Sequence, residues 1–304
     1  MRNHRFLFAV GVILLFLLSP TPNVADAIDK SMVAQAIIVD HSCIGLSKIP
    51  REWIEKAKQS LHIAYGHTSH GSQITTGMSG LVNAKGKLYA WNSGGAGGAL
   101  DLRSFRDDFG RLGIAADLGA DANGKLNRTA WEKATRAYLA TNPGVNVIIW
   151  SWCWQVGGEE SDIKLYLDLM NRLENDYPNI RFVYMTGHVD GLIKGNPWEI
   201  VTYLRNKQIR DYCRENGKVL YDFADIESYD PDGNYYGDKL INDACDYDSN
   251  GDGKRDKNWA VDWQNAHPGE WYNCDSAHSQ PLNANMKAYA AWHLWARLAG
   301  WDGN

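Results

Sequence analysis

The sequence has no cluster of basic residues, and this absence argues against a nucleic-acid partner. Its 31 Lys and Arg residues and its 36 Asp and Glu residues are dispersed along the 304-residue chain and give a net charge of −5. Nucleic-acid binding depends on a concentrated positive surface that neutralises phosphates. We therefore expect no nucleic-acid partner.

Several cofactor motifs are missing as well. The chain has no CxxC or CxxCH, which are typical of redox and haem proteins, and no HExxH zinc motif. Its glycine-rich segment, residues 94–98, has neither the GxxxxGK[ST] order of a phosphate loop nor the GxGxxG order of a dinucleotide site. We therefore expect no organic cofactor.

Long apolar runs are absent after residue 18, so the sequence predicts no membrane span in the mature chain. The one long apolar run, residues 6–18, follows two arginines and precedes Ala25-Asp26-Ala27, which has the small-residue spacing of a cleavage site. This pattern is typical of a secretory signal peptide. We interpret residues 1–27 as that signal, with an uncleaved anchor as the alternative, and expect a secreted protein, extracellular or periplasmic.

Cysteine is scarce, and the odd number of 5 leaves at least one thiol unpaired. Export permits disulfides, and Cys245 and Cys274 flank the most irregular segment of the sequence. We predict that these two residues pair, which would stabilise the fold by about 3 kcal/mol in the chain-entropy account. Cys153 lies in an apolar run and is expected to be a buried free thiol within a strand.

Strand-like and helix-like segments alternate along most of the chain. Apolar, β-branched runs that predict buried strands lie at residues 61–65, 87–91, 145–152, 180–185 and 218–223. Amphipathic runs that predict helices lie at 50–59, 74–83, 129–141, 161–177, 198–216 and 282–299. This alternation predicts an α/β protein: one three-layer α/β/α domain over residues 28–304, with a doubly wound parallel sheet. Residues 100–118 are expected to form a loop.

Residues 225–274 interrupt the alternation and are interpreted as an acidic insertion. Within it, oxygen-bearing side chains recur at every second position, with Gly251 at the sixth, as a tight loop around a hard cation requires. The candidate ligands are Asp246, Asp248, Asn250, Asp252 and Asp256. The loop resembles the calcium loops of dockerins and thrombospondin type-3 repeats, and we predict a structural Ca²⁺. A solvated Asp/Gly turn is the alternative.

Residues 60–73 (SLHIAYGHTSHGSQ) carry the candidate nucleophile. A short β-prone run ends at Gly66, and a small polar turn follows it at once. Parallel α/β sheets bind ligands at the carboxyl ends of their strands, so a hydroxyl in this turn is well placed to react. Ser69 is the preferred nucleophile and Thr68 its rival. An ordinary polar loop is the alternative interpretation.

The candidate base lies near the other end of the chain. Asp275 and His278 stand three residues apart, directly before the predicted last helix. In a nucleophilic triad the histidine takes the proton of the serine, and the carboxylate orients the imidazole and stabilises its charged form. We therefore predict that His278 acts on Ser69 and that Asp275 acts on His278.

This arrangement resembles the SGNH (GDSL-like) hydrolase superfamily over residues 60–299, through its members with an H-x-S-x-G motif, here His67-Thr68-Ser69-His70-Gly71. The resemblance implies an oxyanion hole made by the Ser69 N–H, a glycine after the second strand and an asparagine after the third. Gly119 or one of Gly94, Gly95, Gly97 and Gly98 would supply the glycine. The G-x-N-D motif of the third strand is missing, and Gln155 stands near its place.

Three further histidines are candidate substrate contacts: His67, His70 and His188. Grouped with Asp190 or Asp275, they would instead suggest a transition-metal site, which no ligand-pair motif supports. For any one of them, a hydrogen-bonded loop histidine is the plain alternative.

The expected function is that of a secreted serine esterase that removes acyl groups from a small-molecule or polysaccharide ester, such as a carbohydrate or cell-envelope polymer. The 13 Trp and 15 Tyr residues suit stacking on sugar rings as well as core packing. The alternative is a non-catalytic carbohydrate-binding or matrix protein on the same fold, which the missing G-x-N-D favours. A lipase or peptidase would use the same triad, although the chain has no G-x-S-x-G elbow.

Overall fold

The computed structural model describes residues 35–104, 114–190 and 197–304. The predicted signal peptide, residues 1–27, lies outside these ranges. Within them, no helix is both long enough and apolar enough to cross a membrane. Residues 34–304 form one compact unit.

A seven-stranded sheet lies at the centre of this unit, and every neighbouring pair of its strands is parallel. In chain order its strands are β1 (Ile37–Val39), β2 (His62–Gly66), β3 (Trp91–Asn92), β4 (Leu100–Ser104), β5 (Val147–Trp150), β6 (Arg181–Met185) and β7 (Val219–Tyr221). Their order across the sheet is β1-β7-β6-β5-β2-β4-β3. Two short antiparallel pairs lie outside it: Ala115–Asp117 with Ala120–Asp121, and Asp246–Tyr247 with Lys257–Asn258.

Helices cover both faces of the sheet, so the predicted three-layer α/β/α fold is confirmed. The helices are α1 (Arg51–Ser60), α2 (Ser69–Lys85), α3 (Ala130–Thr141), α4 (Glu160–Asp176), α5 (Pro197–Glu215), α6 (Phe223–Ile226), α7 (Trp259–Ala266) and α8 (Pro281–Leu298). Side chains of α1, α2, α7 and α8 share one hydrophobic core, and those of α3, α4 and α5 share the other. Strand β2 serves both cores, because Ile63 and Tyr65 face the first and Ala64 faces the second.

The strand order changes direction at β2. From β2 the chain goes to the edge strand β3, then to β4 between β3 and β2, and later places β5 on the other side of β2. In doubly wound sheets this change of direction opens a crevice beyond the carboxyl ends of the two strands, where ligands bind. The segments that follow Gly66 and Trp150 therefore meet at the expected ligand-binding edge.

Two local predictions are wrong. The predicted strand at 87–91 is a 3₁₀ turn (Lys87–Tyr89) followed by the two-residue β3, and the predicted loop at 100–118 contains the full strand β4. Strand β4 carries two charged residues, Asp101 and Arg103, which pair at 3.0 Å. Asp101 also contacts His62 of β2 at 2.9 Å. Because these groups satisfy one another, charged residues are tolerated within a buried parallel strand.

The predicted disulfide is also wrong, since all five cysteines are free thiols in the structure. Cys245 Sγ lies 3.3 Å from Ser279 Oγ, and Cys274 Sγ lies 3.8 Å from the carbonyl oxygen of Pro281. Burial raises the pKa of Cys245 to about 12 and that of Cys274 to about 11. Both thiols are therefore protonated at neutral pH and pack around the start of α8.

Candidate functional site

Ser69 is the first residue of α2, and Thr68 is its N-cap. The N–H groups of a helix's first turn have no partner within the helix, so they are available to an anion. Gly71, in the same turn, lies against the ends of the neighbouring strands. A Cβ atom at Gly71 would come within 2.3 Å of Ser151 Oγ and 2.6 Å of Tyr65 Oη. A glycine at position 71 therefore lets Ser69 approach the sheet edge.

Ser69 and His278 are 209 positions apart in the chain and in direct contact in the fold. Ser69 Oγ lies 2.8 Å from His278 Nε2. His278 has a φ of +65°, an uncommon conformation for a residue other than glycine. Backbone outliers of this kind cost about 1–3 kcal/mol and concentrate at functional sites. The predicted nucleophile and base are thus brought together, in a turn that holds the histidine in an unusual conformation.

Asp275 does not complete this pair in the structure. Within the described ranges, no hydrogen bond or ion pair joins Asp275 to His278. Asp275 is exposed and lines a shallow surface depression with Thr76 and Asn83, which lie further along α2. A DxxH spacing in an irregular turn therefore does not by itself bring the carboxylate to the imidazole.

A second set of reactive groups lies directly beside Ser69. Cys153 Sγ is 3.7 Å from Ser69 Oγ and 3.2 Å from His70 Nδ1. The other nitrogen of His70, Nε2, is 3.0 Å from Asp243 Oδ2. The prediction that Cys153 lies within a strand is wrong, because β5 ends at Trp150 and the thiol is half-buried in the following turn.

His70 is the middle member of a column of three histidines. Its ring stacks on His188 and on His278, with centroids 4.5 Å apart in each case. His70 and His188 are each 5% exposed. Burial lowers the pKa of His70 to about 4 despite its hydrogen bond with Asp243, so His70 is neutral at physiological pH. His70 and His188 were predicted to contact substrate, but little of either side chain is exposed to solvent.

Asp117 organises the groups predicted to hold the oxyanion. Its carboxylate accepts hydrogen bonds from Thr68 Oγ1 (2.9 Å), the Gly119 N–H (2.9 Å) and Gln155 Nε2 (3.4 Å). Burial raises the pKa of Asp117 against these donors. Thr68 is thus engaged with Asp117, whereas Ser69 contacts the histidine. Gly119 lies directly against Gln155, since a Cβ atom on Gly119 would come within 2.4 Å of Gln155 Cβ.

The alternative source of the oxyanion glycine, residues 94–98, lies elsewhere. Gly94 donates its N–H to Asp101 Oδ1 at 2.7 Å, and Asp101 pairs in register with His62, the first residue of β2. The glycine-rich segment is therefore near the amino end of β2, whereas Ser69 follows its carboxyl end.

His67, the third predicted substrate contact, is 5% exposed and hydrogen-bonded. Its Nε2 lies 2.8 Å from Ser104 Oγ at the end of β4, and its ring packs on Tyr65. These contacts fit a histidine that fixes the turn before Ser69.

A buried polar network supports the loops that carry the histidines. Lys287 of α8 is fully buried and contacts both Glu227 and Gln73. Gln73 donates to the carbonyl of Ala277 at 2.6 Å, and Glu227 accepts the N–H of Val189. Ala277 and Val189 are the chain neighbours of His278 and His188. Burial raises the pKa of Glu227 and lowers that of Lys287, and their mutual attraction opposes both shifts.

The predicted calcium loop is closed by its own hydrogen bonds. The carboxylate of Asp248 accepts the N–H groups of Asn250, Gly251 and Gly253, and that of Asp256 accepts the N–H of Ser249. These backbone donors outweigh desolvation and lower the pKa of Asp248. In the described part of the chain, the groups of three close metal-ligating side chains lie elsewhere. Calcium binding at Asp246, Asp248, Asn250, Asp252 and Asp256 stays a prediction.

One exposed aromatic side chain lies next to these groups. Trp154 is 49% exposed and stands between Cys153 and Gln155 in the 3₁₀ turn after β5. Most other tryptophans belong to the cores: Trp131, Trp150, Trp152, Trp259, Trp263, Trp292, Trp295 and Trp301 are buried. The abundance of tryptophan therefore mainly reflects core packing, and Trp154 is a half-exposed tryptophan that follows Cys153 directly in the chain.

Sequence reasoning missed Asp243 and the position of Cys153. Asp243 is one of many acidic residues in the 225–274 segment, and no local pattern distinguishes it from a solvated carboxylate. Its contact with His70 spans 173 positions. The one available signal was that the apolar run before Cys153 ends at the expected ligand-binding edge, as the strand before Ser69 does.

Comparison with known proteins does not decide between these possibilities, since no protein-family model and no curated protein matches the chain.

Proposed function

We propose that the protein is an exported acyl esterase in which Ser69 is the nucleophile and His278 the general base, as in the SGNH hydrolases that the sequence resembles. The observation that carries this proposal is the 2.8 Å contact between Ser69 Oγ and His278 Nε2 at the carboxyl edge of β2. A hydroxyl is a weak nucleophile until a neighbouring base removes its proton, and this contact is within the distance that such a transfer requires.

The reaction would proceed in two steps. Ser69 Oγ attacks the ester carbonyl carbon while His278 Nε2 takes the hydroxyl proton, and the proton then passes to the leaving alkoxide. Water, activated by His278, hydrolyses the acyl-serine and releases the acid. The Ser69 N–H, in the first turn of α2, would donate to the oxyanion. Gln155 Nε2 has two N–H bonds, of which one faces Asp117, so the other can serve the oxyanion.

The Gly119 N–H is already bonded to Asp117. In this proposal Gly119 therefore contributes by letting Gln155 lie close to the turn, and the oxyanion hole rests on two donors. Removal of one oxyanion donor typically costs about 3–4 kcal/mol of transition-state stabilisation. We accordingly expect a slower enzyme than one with three donors and a bonded Asp–His pair.

Trp154 supports a carbohydrate ester as the substrate. Trp154 is half-exposed and directly follows Cys153 in the chain, and Cys153 Sγ lies 3.7 Å from Ser69 Oγ. Sugar rings present apolar faces that pack on indole rings, and binding sites combine such aromatic surfaces with a few polar groups. A secreted carbohydrate-binding protein without catalysis is the second candidate, and the missing bond between Asp275 and His278 favours it.

Labelling with a fluorophosphonate probe, followed by peptide mass mapping, tests the proposal. We expect modification of Ser69, complete loss in Ser69→Ala and strong loss in His278→Ala. Asp275→Ala should retain labelling, because Asp275 does not contact His278. Ser79→Ala, an exposed serine on the same helix, is the matched control. Labelling that persists in Ser69→Ala would overturn the proposal, and modification of Thr68 would move the nucleophile by one residue.

A further inference from the structure

The buried side chain of His188 has a nitrogen without a partner. His188 is 5% exposed, and in the described ranges its Nε2 atom is buried and makes no hydrogen bond. Its Nδ1 atom faces the carbonyl of Val189 at 3.4 Å and Asp190 at 3.6 Å. A buried polar atom that is left without a hydrogen-bond partner loses its hydration and gains nothing in return. This cost suggests that a further group satisfies His188 in the working protein.

Two other metal-ligating side chains lie next to His188. One ring nitrogen of His70, one of His188 and a carboxylate oxygen of Asp243 all lie within 4.8 Å of one another. Donor atoms around one ion at about 2.0–2.2 Å must be less than about 4.4 Å apart, so small side-chain shifts suffice. Two imidazoles and a carboxylate are the ligand set of catalytic zinc sites, which keep a further position open.

We propose that His70, His188 and Asp243 bind one divalent transition-metal ion, with zinc as the ion that this donor set fits best. The sequence interpretation grouped these histidines with Asp190 or Asp275 for a transition metal, and the fold brings Asp243 to them instead. Cys153 then has a supporting role. Metal-ligating histidines usually hydrogen-bond through their other ring nitrogen, and His70 Nδ1 lies 3.2 Å from Cys153 Sγ.

The same contacts invite a rival interpretation, in which Cys153 is a nucleophile, His70 its base and Asp243 the residue that orients the base. The distances of 3.2 Å and 3.0 Å are compatible with that arrangement. It leaves His188 Nε2 without a partner, however, and gives no reason for a second buried histidine to stack on His70. The metal site accounts for all three side chains.

A second group of three such side chains provides an internal comparison. It consists of Asp40, His41 and Asp225, none of which is fully buried. Asp40 Oδ1 accepts hydrogen bonds from Ser42. His41 Nδ1 contacts Asp225, and the ring of His41 stacks on Tyr229. Among the described residues, this group contributes no buried nitrogen that lacks a hydrogen-bond partner, so it serves as the control.

Metal binding is measured on the mature chain, stripped with a chelator and then returned to calcium-containing buffer. Titration calorimetry with Zn²⁺ should show one tight site per chain. The variants His188→Ala and Asp243→Asn should each weaken it by more than about tenfold. His188→Gln keeps the side-chain volume and should weaken it equally, in case His188→Ala unfolds. His62→Ala and Asp225→Asn should bind as the wild type does.

Cobalt identifies the ligands independently of any activity. The wild-type Co²⁺ complex should show visible bands of a low-coordinate ion, and these bands should disappear in His188→Gln. No zinc binding by the wild-type chain, or equal binding by the His188 variants, would overturn the proposal. So would a cobalt spectrum that depends on Cys153 and is unchanged in His188→Gln. Because the readout is binding, its failure would leave the proposed Ser69 chemistry standing.

Discussion

Gln73 Nε2 donates a hydrogen bond of 2.6 Å to the carbonyl oxygen of Ala277, the residue directly before His278. Gln73 is fully buried on α2, four residues after Ser69. This bond ties the helix that carries the nucleophile to the turn that carries the base. The side-chain oxygen of Gln73 also contacts Lys287 of α8, so one amide connects three parts of the chain that meet at the site.

Replacing Gln73 should therefore impair catalysis by displacing His278. In Gln73→Glu an oxygen still faces Lys287, but the donor to Ala277 is lost. We expect the loss of this donor at a fully buried position to cost about 1–3 kcal/mol of unfolding free energy. We also expect a kcat about 10–100-fold lower at temperatures where the protein stays folded, since small misplacements of a catalytic group can cost that much. Gln73→Leu also leaves Lys287 short of one partner and should lose a further 1–3 kcal/mol, roughly, of unfolding free energy.

The measurements are kcat and KM on a soluble acetyl ester, with thermal unfolding of the same samples. A merely structural residue would lower stability without changing kcat at temperatures where the protein stays folded. Wild-type kcat in Gln73→Glu would show that the bond to Ala277 does not position His278. Ser79→Ala, two turns further along α2, is the control for substitution in this helix.

The fold was predictable because its main signals are local. Strands β2, β5 and β6 are largely apolar runs and the main helices are amphipathic, so most of the alternation that defines an α/β sheet is visible in single segments. Strand β4 was not predicted because Asp101 and Arg103 interrupt its apolar pattern. Their burial is possible because Asp101 pairs with Arg103 and with His62, which the sequence does not show.

The candidate site was predictable in part, for the same reason. Ser69 follows a strand and His278 precedes a helix, and both positions can be read from neighbouring residues. The contact of Asp243 with His70 depends on how the 225–274 segment folds back over the sheet edge, which no local pattern specifies. The failed pairing of Cys245 with Cys274 has the same origin, because sequence separation cannot show where two thiols point.

Trp154 should determine affinity for polymeric substrate without affecting the chemistry. Its indole is half-exposed beside Cys153, so it can stack on a sugar ring that carries the ester. Trp154→Ala should raise KM for an acetylated oligosaccharide by about fivefold or more and leave kcat for a small aryl acetate unchanged. Loss of one such aromatic contact is worth about 1 kcal/mol or more.

The control for this experiment is Trp53→Ala, which removes a partly buried indole from α1, where Trp53 packs under Lys56. Equal effects of Trp154→Ala on both substrates would mean that the indole supports the site structurally. No effect on either would remove the carbohydrate part of the proposal.

Calcium should stabilise the protein through the predicted site in residues 246–256. An ion at 100 times its Kd stabilises the folded state by about 2.7 kcal/mol. The unfolding temperature of the wild type should therefore rise with added Ca²⁺ and fall with EGTA. Asp252→Ala should abolish this response, because Asp252 is one of the predicted ligands. Its carboxylate lies in the exposed part of the loop, where it accepts the N–H of Lys254.

Asp232→Ala is the matched control, because it removes a carboxylate from a different turn of the 225–274 segment. An unfolding temperature that ignores calcium would mean that the hydrogen bonds donated to Asp248 are sufficient to hold the loop.

His293 should make the fold sensitive to mild acid. It lies on α8 with its ring edge-on to Trp301, at a centroid distance of 4.8 Å. Burial, assisted by the charge of Arg297, lowers the pKa of His293 from 6.5 to about 4. Below pH 6.5 His293 is therefore protonated in the unfolded chain while it stays neutral in the folded chain. As the pH falls from about 6.5 towards 4, this difference lowers the free energy of unfolding.

Between pH 7 and pH 5 the resulting loss of unfolding free energy is at most about 2 kcal/mol, because solvent screens the partly exposed ring. His293→Gln cannot take up the proton in either state, so its unfolding free energy should fall by about that much less than the wild type's over this interval. Urea unfolding of both proteins at pH 7 and pH 5 measures how steeply the unfolding free energy of each depends on pH. Identical slopes for His293→Gln and the wild type would mean that His293 becomes protonated within the folded state, through an opening of the contact with Trp301.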